Sequence, residues 1–522
     1  MERETVKKLC DNDLYLRSKL YCRGYLITDT CPQDSGYPFY GEWIQKQAGK
    51  FFLFHHPQLP CYIENDGKNT VGLFGHAYNP FSGETDENGI LKELLKRIEN
   101  NALLFDEINH LTGVFCLFVI RDGSMMLLND TVGLFPVFFT TDGNAPFYAS
   151  SHVNLIADFT GFTEDPYITR LRACKTFYHF GNQLPGVCSK FAEVERLSPN
   201  HYLKVDGEIK PVRFYSPHYL DIDDDEAVKR VCSAMQKTMA AIAAKWERPA
   251  ISLTGGCDSK TTLAAANGIY DKFQYFSYDS QPNERPDAEA AVAICKALGL
   301  RHTLYEIPYE DEAFDNIEGI RAILIWNGGD IRDNNPNDVR KRAYLDKRND
   351  FDVEVKSWAS EVCRARYSKR YAGKMSFGKK PSPRKCTTFY KFLLNRKIVN
   401  ETDKVFRHYL DNYFQSDDKR PIPWQDQLYW EWHWPARDGI TIVCEHMFSD
   451  MITVPYNNRK VLELLLSTSY ENRYKDVLYT RARERMDSRI DRAAEAIVDV
   501  NHTKTRALKE RLYYTFNTLL PY

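Results

Sequence analysis

The chain has 522 residues, of which 43% are apolar and 13% aromatic, and 69 Lys+Arg stand against 71 Asp+Glu for a net charge of -2. At roughly 150 residues per domain, this length predicts two or three domains with sizeable cores. The charge balance excludes a chain held open by self-repulsion and a nucleic-acid coat driven by bulk positive charge, and the lack of any apolar run of ~18 residues predicts no membrane span.

The first 215 residues read as strands. FFLFHH (Phe51–His56), VGLFGHAYNP (Val71–Pro80), GVFCLFVIRDGSMMLLND (Gly113–Asp130) and PVFFTTDG (Pro136–Gly143) are apolar runs cut by Gly, Pro and Asp-Gly. Arg121–Ser124 has the composition of a hairpin turn, and Arg196–Ser216 predicts a second hairpin turning at Asp206-Gly207. Between them, Glu87–Asn100 carries Ile90, Leu91, Leu94, Leu95 and Ile98 at helical spacing. The thirteen cysteines are spread thinly with no CxxC pair, and MERETVKKLCDNDLYL has no signal-peptide apolar region. A soluble, reduced, cytoplasmic protein is the expectation.

The pattern changes near residue 217. Asp221–Trp246 opens with acids and continues as a helix, with Ala227, Val228, Val231, Met235 and Met239 on its apolar face. The strand PAISL (Pro249–Leu253), the strand FQYFSYD (Phe273–Asp279), the helix Asp287–Leu300 and the strand HTLYEIP (His302–Pro308) follow. This is the alternation of a parallel α/β sheet. From about 310 onward the signal is more helical and aromatic, with helices at FDNIEGIRAILIWNGG and Val461–Tyr470. Lys369–Lys385 places seven basic residues in 17 and reads first as a solvated loop. A lid over an anionic ligand, or contact with nucleic acid, are its other readings. Trp424, Trp430, Trp432 and Trp434 fall within eleven residues, as core, as a domain seam or as a pocket wall. Asp426, Glu431 and Glu445 nearby are candidate bases, and neither His433 nor His446 has metal-ligand spacing.

The strongest feature is Ser252-Leu253-Thr254-Gly255-Gly256-Cys257-Asp258-Ser259, between a strand and a helix. Two adjacent glycines let backbone N–H groups approach a ligand, the hydroxyls add donors, and the helix start adds its dipole. Together they predict a pyrophosphate cradle. It is not the GxxxxGKS loop, because the glycine spacing differs and the Lys is missing. Asp258 suits a magnesium ion shared with phosphate. Asp279 ends a strand, and Asp287 and Glu289 open a helix, so Asp258, Asp279 and Asp287 can converge at one sheet edge.

SLTGGCDS resembles the SGGxDS loop of the N-type ATP pyrophosphatases. FQYFSYDS, PDAEAAVAICKALGLRH and His302 continue the resemblance to the synthetase domain of asparagine synthetases and β-lactam synthetases. Leu111–Phe139 resembles the hairpin region of that family's glutaminase-like N-terminal domain. Val194–Gly207 is similar to the segment leading out of it, and Val454–Leu466 to a late element of the synthetase domain. The likeness covers about 110–310 well and 350–480 loosely.

The resemblance implies an α+β, Ntn-hydrolase-like antiparallel-sheet domain over 1–215. After it comes an α/β parallel-sheet domain of the adenine-nucleotide alpha-hydrolase-like (HUP/PP-loop) kind over 216–522, with a helical C-terminal part. It implies an ATP-dependent, AMP- and pyrophosphate-forming amide-bond synthetase or cyclase. A small-molecule carboxylate is adenylated and passed to an amine or ammonia. ATP and Mg2+ are the implied cofactors. Ser252, Gly255, Gly256, Asp258 and Ser259 carry over as the pyrophosphate and metal group, with Asp287 as second metal ligand. The backbone of Leu253 and the Ser277–Tyr278 strand carry over as the adenosine contacts. No membrane or nucleic-acid partner is expected, and a homodimer is the expected assembly.

Three departures qualify this. The family's glutamine-hydrolysing members use a Cys directly after the initiator Met, where this sequence has Glu2 and its first cysteines are Cys10 and Cys22. The N-terminal domain is therefore expected to be catalytically silent. The family's G-x-G-x-D-E loop corresponds to Lys356-Ser357-Trp358-Ala359-Ser360-Glu361, with Ser360 at the Asp position and only Glu361 retained. Arg364 or Arg366 can then replace metal charge with guanidinium charge. The late lysine that steadies adenylation corresponds to Lys475, with Arg473 as its rival. Two other readings stay open: a non-catalytic scaffold of this fold, and an AMP-forming enzyme acting on another oxygen, such as that of a tRNA base.

Overall fold

The computed structural model describes residues 3–31, 42–329, 335–370, 380–392, 395–414, 421–493 and 504–519. The apolar runs of the first half form β1 (Tyr25–Thr28), β2 (Ile44–Ala48), β3 (Phe51–His55), β4 (Cys61–Asn65), β5 (Thr70–Tyr78), β6 (Thr112–Arg121), β7 (Ser124–Asn129), β8 (Phe138–Thr140), β9 (Tyr148–Ser150), β10 (Val194–Arg196), β11 (His201–Val205) and β12 (Ile209–Arg213). They make two antiparallel sheets, β10-β8-β9-β1-β3-β2 and β12-β11-β7-β6-β5-β4. The Asp122-Gly123 turn has positive φ at both residues, 50° and 76°, which matches the twist of the strands it joins.

The two sheets face each other, and Tyr25 of β1 stacks on Phe74 of β5 at 4.8 Å between ring centroids. β6 shows why its run is apolar throughout. Val114, Cys116 and Phe118 point into this inter-sheet core. Phe115, Leu117 and Val119 point the other way, onto Leu91, Leu94 and Leu104 of the helices Glu87–Arg97 and Asn101–Asn109. On the far side, Leu26, Phe54 and Phe138 are covered by Val6, Leu16 and Ile156 of the helices Arg3–Asn12, Leu14–Lys19 and Val153–Thr160. The result is a helix–sheet–sheet–helix sandwich, the Ntn-hydrolase-like α+β arrangement.

Beyond it lies a parallel sheet of β13 (Pro249–Ser252), β14 (Gln274–Asp279), β15 (His302–Glu306), β16 (Val353–Val355) and β17 (Ile452–Thr453). Its order is β15-β14-β13-β16-β17, with every pairing parallel. The chain steps outward from β13 to β15, then returns to β13's other flank. The order therefore reverses between β13 and β16, and a crevice opens beyond their C-terminal ends.

The tryptophan-rich segment is one helical stretch over 424–449 that contains three π-helical turns, Tyr429–His433, Pro435–Gly439 and Ile442–His446. Pro435 has no N–H to give, and wide turns accommodate such a residue without breaking the helix. Much of the stretch is seam. Trp430 Nε1 donates to Thr131 O at 2.8 Å and Trp432 Nε1 to Leu184 O at 2.9 Å. Glu431, fully buried, accepts from Arg213 at 2.6 and 2.8 Å and from Asn200 at 3.0 Å. Among the described residues no helix is long and apolar enough to cross a membrane.

Candidate functional site

A cavity of about 520 Å³ lies at the β13/β16 reversal. The phosphate-type loop forms one wall. Its backbone is held by its own side chains. Thr254 N–H donates to Ser259 Oγ at 3.1 Å, Gly256 N–H to Thr254 Oγ1 at 3.2 Å, and Ser259 Oγ–H to Thr254 O at 2.7 Å. Gly255 N–H donates to Asp287 Oδ1 at 3.1 Å. A Cβ on Gly256 would sit 3.2 Å from Thr254 Oγ1, so the turn has little room for a side chain. The helix Cys257–Ala265 begins there without a side-chain cap, which leaves its first N–H groups to a ligand.

Ser252, Leu253, Gly256, Asp258, Ser259, Ser277 and Tyr278 all line this cavity, as do Asp287 and Glu361. Gly255 takes part through its bond to Asp287. Ser277 Oγ–H donates to Leu253 O at 2.6 Å and lies 3.0 Å from His302 Nε2, which ties the ends of β13 and β14 together. Two ammonium groups flank the Tyr278 ring, Lys341 at 5.3 Å and Lys356 at 5.4 Å from its centroid. Its hydroxyl donates to Glu354 at 2.8 Å. Glu354 is fully buried and also pairs with Lys356 at 2.6 Å. Burial alone would raise its pKa, but Lys356, His446 and Arg342 hold it well below the usual carboxylate range.

Asp258 does not meet a metal ligand set. Its Oδ2 accepts from Arg364 Nη1 at 2.6 Å, and its Oδ1 accepts from Ser360 Oγ. Arg364 in turn forks onto Asp476, with Nε–Oδ1 at 2.9 Å and Nη2–Oδ2 at 2.8 Å. Lys369 Nζ joins Asp476 at 2.6 Å. Burial works against the Arg364 charge, but the carboxylates of Asp258 and Asp476 outweigh it and raise its pKa. Asp279 is turned elsewhere, to Arg285 at 3.2 Å and Tyr309 at 2.7 Å. Among the described residues no three His, Cys, Asp or Glu side chains gather as metal ligands. Mg2+ takes a near-octahedral oxygen shell, and a guanidinium with a hydroxyl already satisfies Asp258, so these residues do not fit the ion expected at Asp258 and Asp287.

Glu361 lines the cavity beside Asp258, and its Oε2 is buried with no hydrogen-bond partner. Burial, then the charge of Asp258, pushes its carboxyl up to about 7. Burial likewise raises Asp287, against the pull of the Gly255 N–H.

Lys475 is placed outside this site. Its side chain is 61% exposed and pairs with Glu471 one helical turn away. Lys475 caps the C-terminal end of the short helix Tyr470–Tyr474, and the lysine that reaches the neighbouring Asp476 is the half-buried Lys369, which the sequence pattern read as part of a basic loop. The centre of that loop, 371–379, lies outside the described residues. Arg473 is buried against Asp426 at 2.7 Å, away from the cavity lining. That pairing, with the seam contacts of Glu431, leaves Glu445 as the one of the three candidate bases that lines the cavity. Tyr429, Trp434, Arg437 and Thr441 line it too, at intervals of five, three and four along the π-helical stretch. An expectation of regular 3.6-residue turns hides that face. Lys341, Arg342 and Lys356 were also missed, because each carries an unremarkable local pattern.

No family model and no curated protein matches the chain. Among solved structures it is similar to glutamine phosphoribosylpyrophosphate amidotransferase from B. subtilis complexed with ADP and GMP, at 12% identity over 56% of this chain and 61% of that one, TM-score 0.22. A structure described as the allosteric regulatory enzyme of purine biosynthesis gives 12% identity, the same coverages and a TM-score of 0.23. Glutamine-dependent NAD+ synthetase from Acinetobacter baumannii in complex with ADP gives 12% identity over 62% of this chain and 83% of that one, TM-score 0.21. The chain spans about 61% of the length of the first two. Likeness at this level adds nothing to the geometry of the site.

Proposed function

We propose that residues 216–522 form an ATP-dependent, AMP- and pyrophosphate-forming synthetase that activates a carboxylate and passes the acyl group to an amine or ammonia. The observation that carries this reading is the glycine loop at the reversal point of a parallel sheet, opening onto a cavity with cations on one wall. The first N–H groups of the helix Cys257–Ala265, which no side chain caps, bind the pyrophosphate arm of ATP. Lys341 and Lys356 face the region of the α-phosphate and the acyl group, where negative charge grows during transfer. Glu361, ionising near neutrality, takes the proton from the attacking amine. None of the described residues of 1–215 lines the cavity, and no glutaminase activity is assigned to them in this reading. Cys10 and Cys22 are both buried and both lie within the chain, ahead of β1, so neither thiol stands beside a free amine.

The test is isotope exchange between pyrophosphate and ATP across a panel of carboxylic acids, with AMP and ADP resolved. Acid-dependent exchange with AMP as product is the expected result. Release of ADP alone, or no exchange with any acid, would remove the adenylation reading. A non-catalytic scaffold is the second reading, favoured by the loop N–H groups already satisfied within the protein. It predicts that no ATP analogue binds in calorimetry.

A further inference from the structure

We infer that the helix Lys504–Leu519 attaches the chain to an anionic lipid surface, lying along it with Leu508, Leu512, Phe516 and Leu519 at the boundary of headgroups and acyl chains. The inference stands apart from the nucleotide reading.

This helix has two unlike faces. The inner one rests on the body of the protein. Tyr514 is buried with its ring 5.3 Å from that of Phe389, Glu510 pairs with Lys391, and the Lys391 ammonium lies 5.8 Å from the centroid of Tyr513. The outer face is apolar and bare. Leu508 is 54% exposed, Leu512 63%, Phe516 64% and Leu519 78%. At about 100° per residue these four fall within about 80° of one another, on the side opposite Glu510 and Tyr514. Among the described residues no other helix leaves more than two large apolar side chains exposed.

The edges of the stripe decide what covers it. Lys509 lies about 20° beyond Phe516 on one side and Arg511 about 60° beyond Leu508 on the other, and both are exposed. The helix carries Lys504, Arg506, Lys509 and Arg511 against one acid, Glu510, which is turned to Lys391. A second copy laid on the stripe would set a cation of one helix against a cation of the other in either orientation. An anionic bilayer receives both parts. Its acyl chains take the apolar side chains, and its charged headgroups take Lys509 and Arg511. Sixteen residues span about 24 Å, less than the ~30 Å hydrocarbon core, so the helix lies on the surface and does not cross it. The expectation of no membrane partner followed from the lack of a long apolar run, and a surface helix needs none.

Attachment also orients the cavity. Tyr514 packs on Phe389, Phe389 stacks on Tyr367 at 4.5 Å, and Tyr367 meets Tyr429 of the cavity wall edge-on at 5.3 Å. Three ring contacts thus join the lipid-facing helix to the site.

The test is flotation of the full chain with vesicles of pure phosphatidylcholine and of phosphatidylcholine carrying about 30% phosphatidylserine, in about 0.1 M and about 0.5 M salt. Binding to the anionic vesicles is expected to be at least about tenfold tighter than to the neutral ones, and to weaken at the higher salt. Lys509→Gln with Arg511→Gln should lower it at least about tenfold, at about fivefold per cation. Leu512→Ser with Phe516→Ser should do the same and leave the urea midpoint in place, because both side chains are exposed. Should the Ser pair fail to fold, the Gln pair carries the comparison. No binding to anionic vesicles, equal binding to neutral ones, or binding that the variants leave unchanged would overturn the inference. A dimer in analytical ultracentrifugation that the Ser pair abolishes, without vesicle binding, would assign the stripe to a second copy instead.

Discussion

Glu361 gives a prediction that needs no substrate. Burial and the charge of Asp258 push its carboxyl up to about 7 in the folded chain, against an ordinary 4.5. The folded state therefore binds the proton more tightly than the unfolded one. For a carboxylate raised in this way, the stabilising proton is in place below pH 4.5 and lost as pH climbs through about 7. With these two values, linkage costs on the order of 2–3 kcal/mol of stability between pH 5 and pH 8, most of what is lost in all from below pH 4.5 to above pH 7. Glu361→Gln removes the titration while keeping the shape. Urea unfolding of both proteins at pH 5, 6, 7 and 8 should show the variant gaining on the wild type by roughly 2–3 kcal/mol across the series. Titrating groups remote from Glu361 cancel in the difference. A variant whose stability tracks the wild type in parallel would refute the burial of a protonated carboxyl beside Asp258, and with it the assignment of Glu361 as the proton acceptor.

Asp258→Asn should fold with a loss of about 1–3 kcal/mol, since Arg364 keeps Asp476, and should still release AMP in the presence of ATP and an accepted acid, since Asp258 holds Arg364 and not a metal. Denaturation alongside nucleotide chromatography checks both halves. Glu431→Ala strands Arg213 in the seam and should cost about 3–5 kcal/mol, read as a lowered urea midpoint. Lys475→Ala should change stability by less than about 0.5 kcal/mol and leave AMP formation intact, whereas Lys369→Ala takes a cation from Asp476 and should cost about 1 kcal/mol, read as a lowered urea midpoint.

The fold was largely legible because its signals are local. Alternation marks β6 and β7, Asp122-Gly123 marks their turn, and strand–loop–helix spacing marks β13 through β15. Strands that are short or that carry polar residues, such as β2 with IQKQA, announce nothing, and neither do the two helices ahead of β1. The loop side of the cavity was legible for the same reason. The opposite side was not. Arg364 meets Asp476 across 112 residues, and Ser360 meets Asp258 across 102. No local pattern encodes such meetings, which depend on how β16 lies beside β13. Lys475 and Lys369 show the limit most plainly. Both stand near Asp476, one by sequence and one by space, and only the second touches it.

The stretch 424–449 has a consequence of its own. One of its faces holds the two halves of the chain together through Trp430, Glu431 and Trp432, and another lines the cavity through Tyr429, Trp434 and Thr441. Each wide turn holds one residue more than an α turn would. Removing a single residue from one of them would turn everything downstream by about 100°. Such a deletion would exchange cavity-lining residues for their neighbours in one step, which no point substitution does. The length of this helix, counted in residues, is thus a dial for which side chains face the cavity, and its setting is anchored in the antiparallel half of the protein.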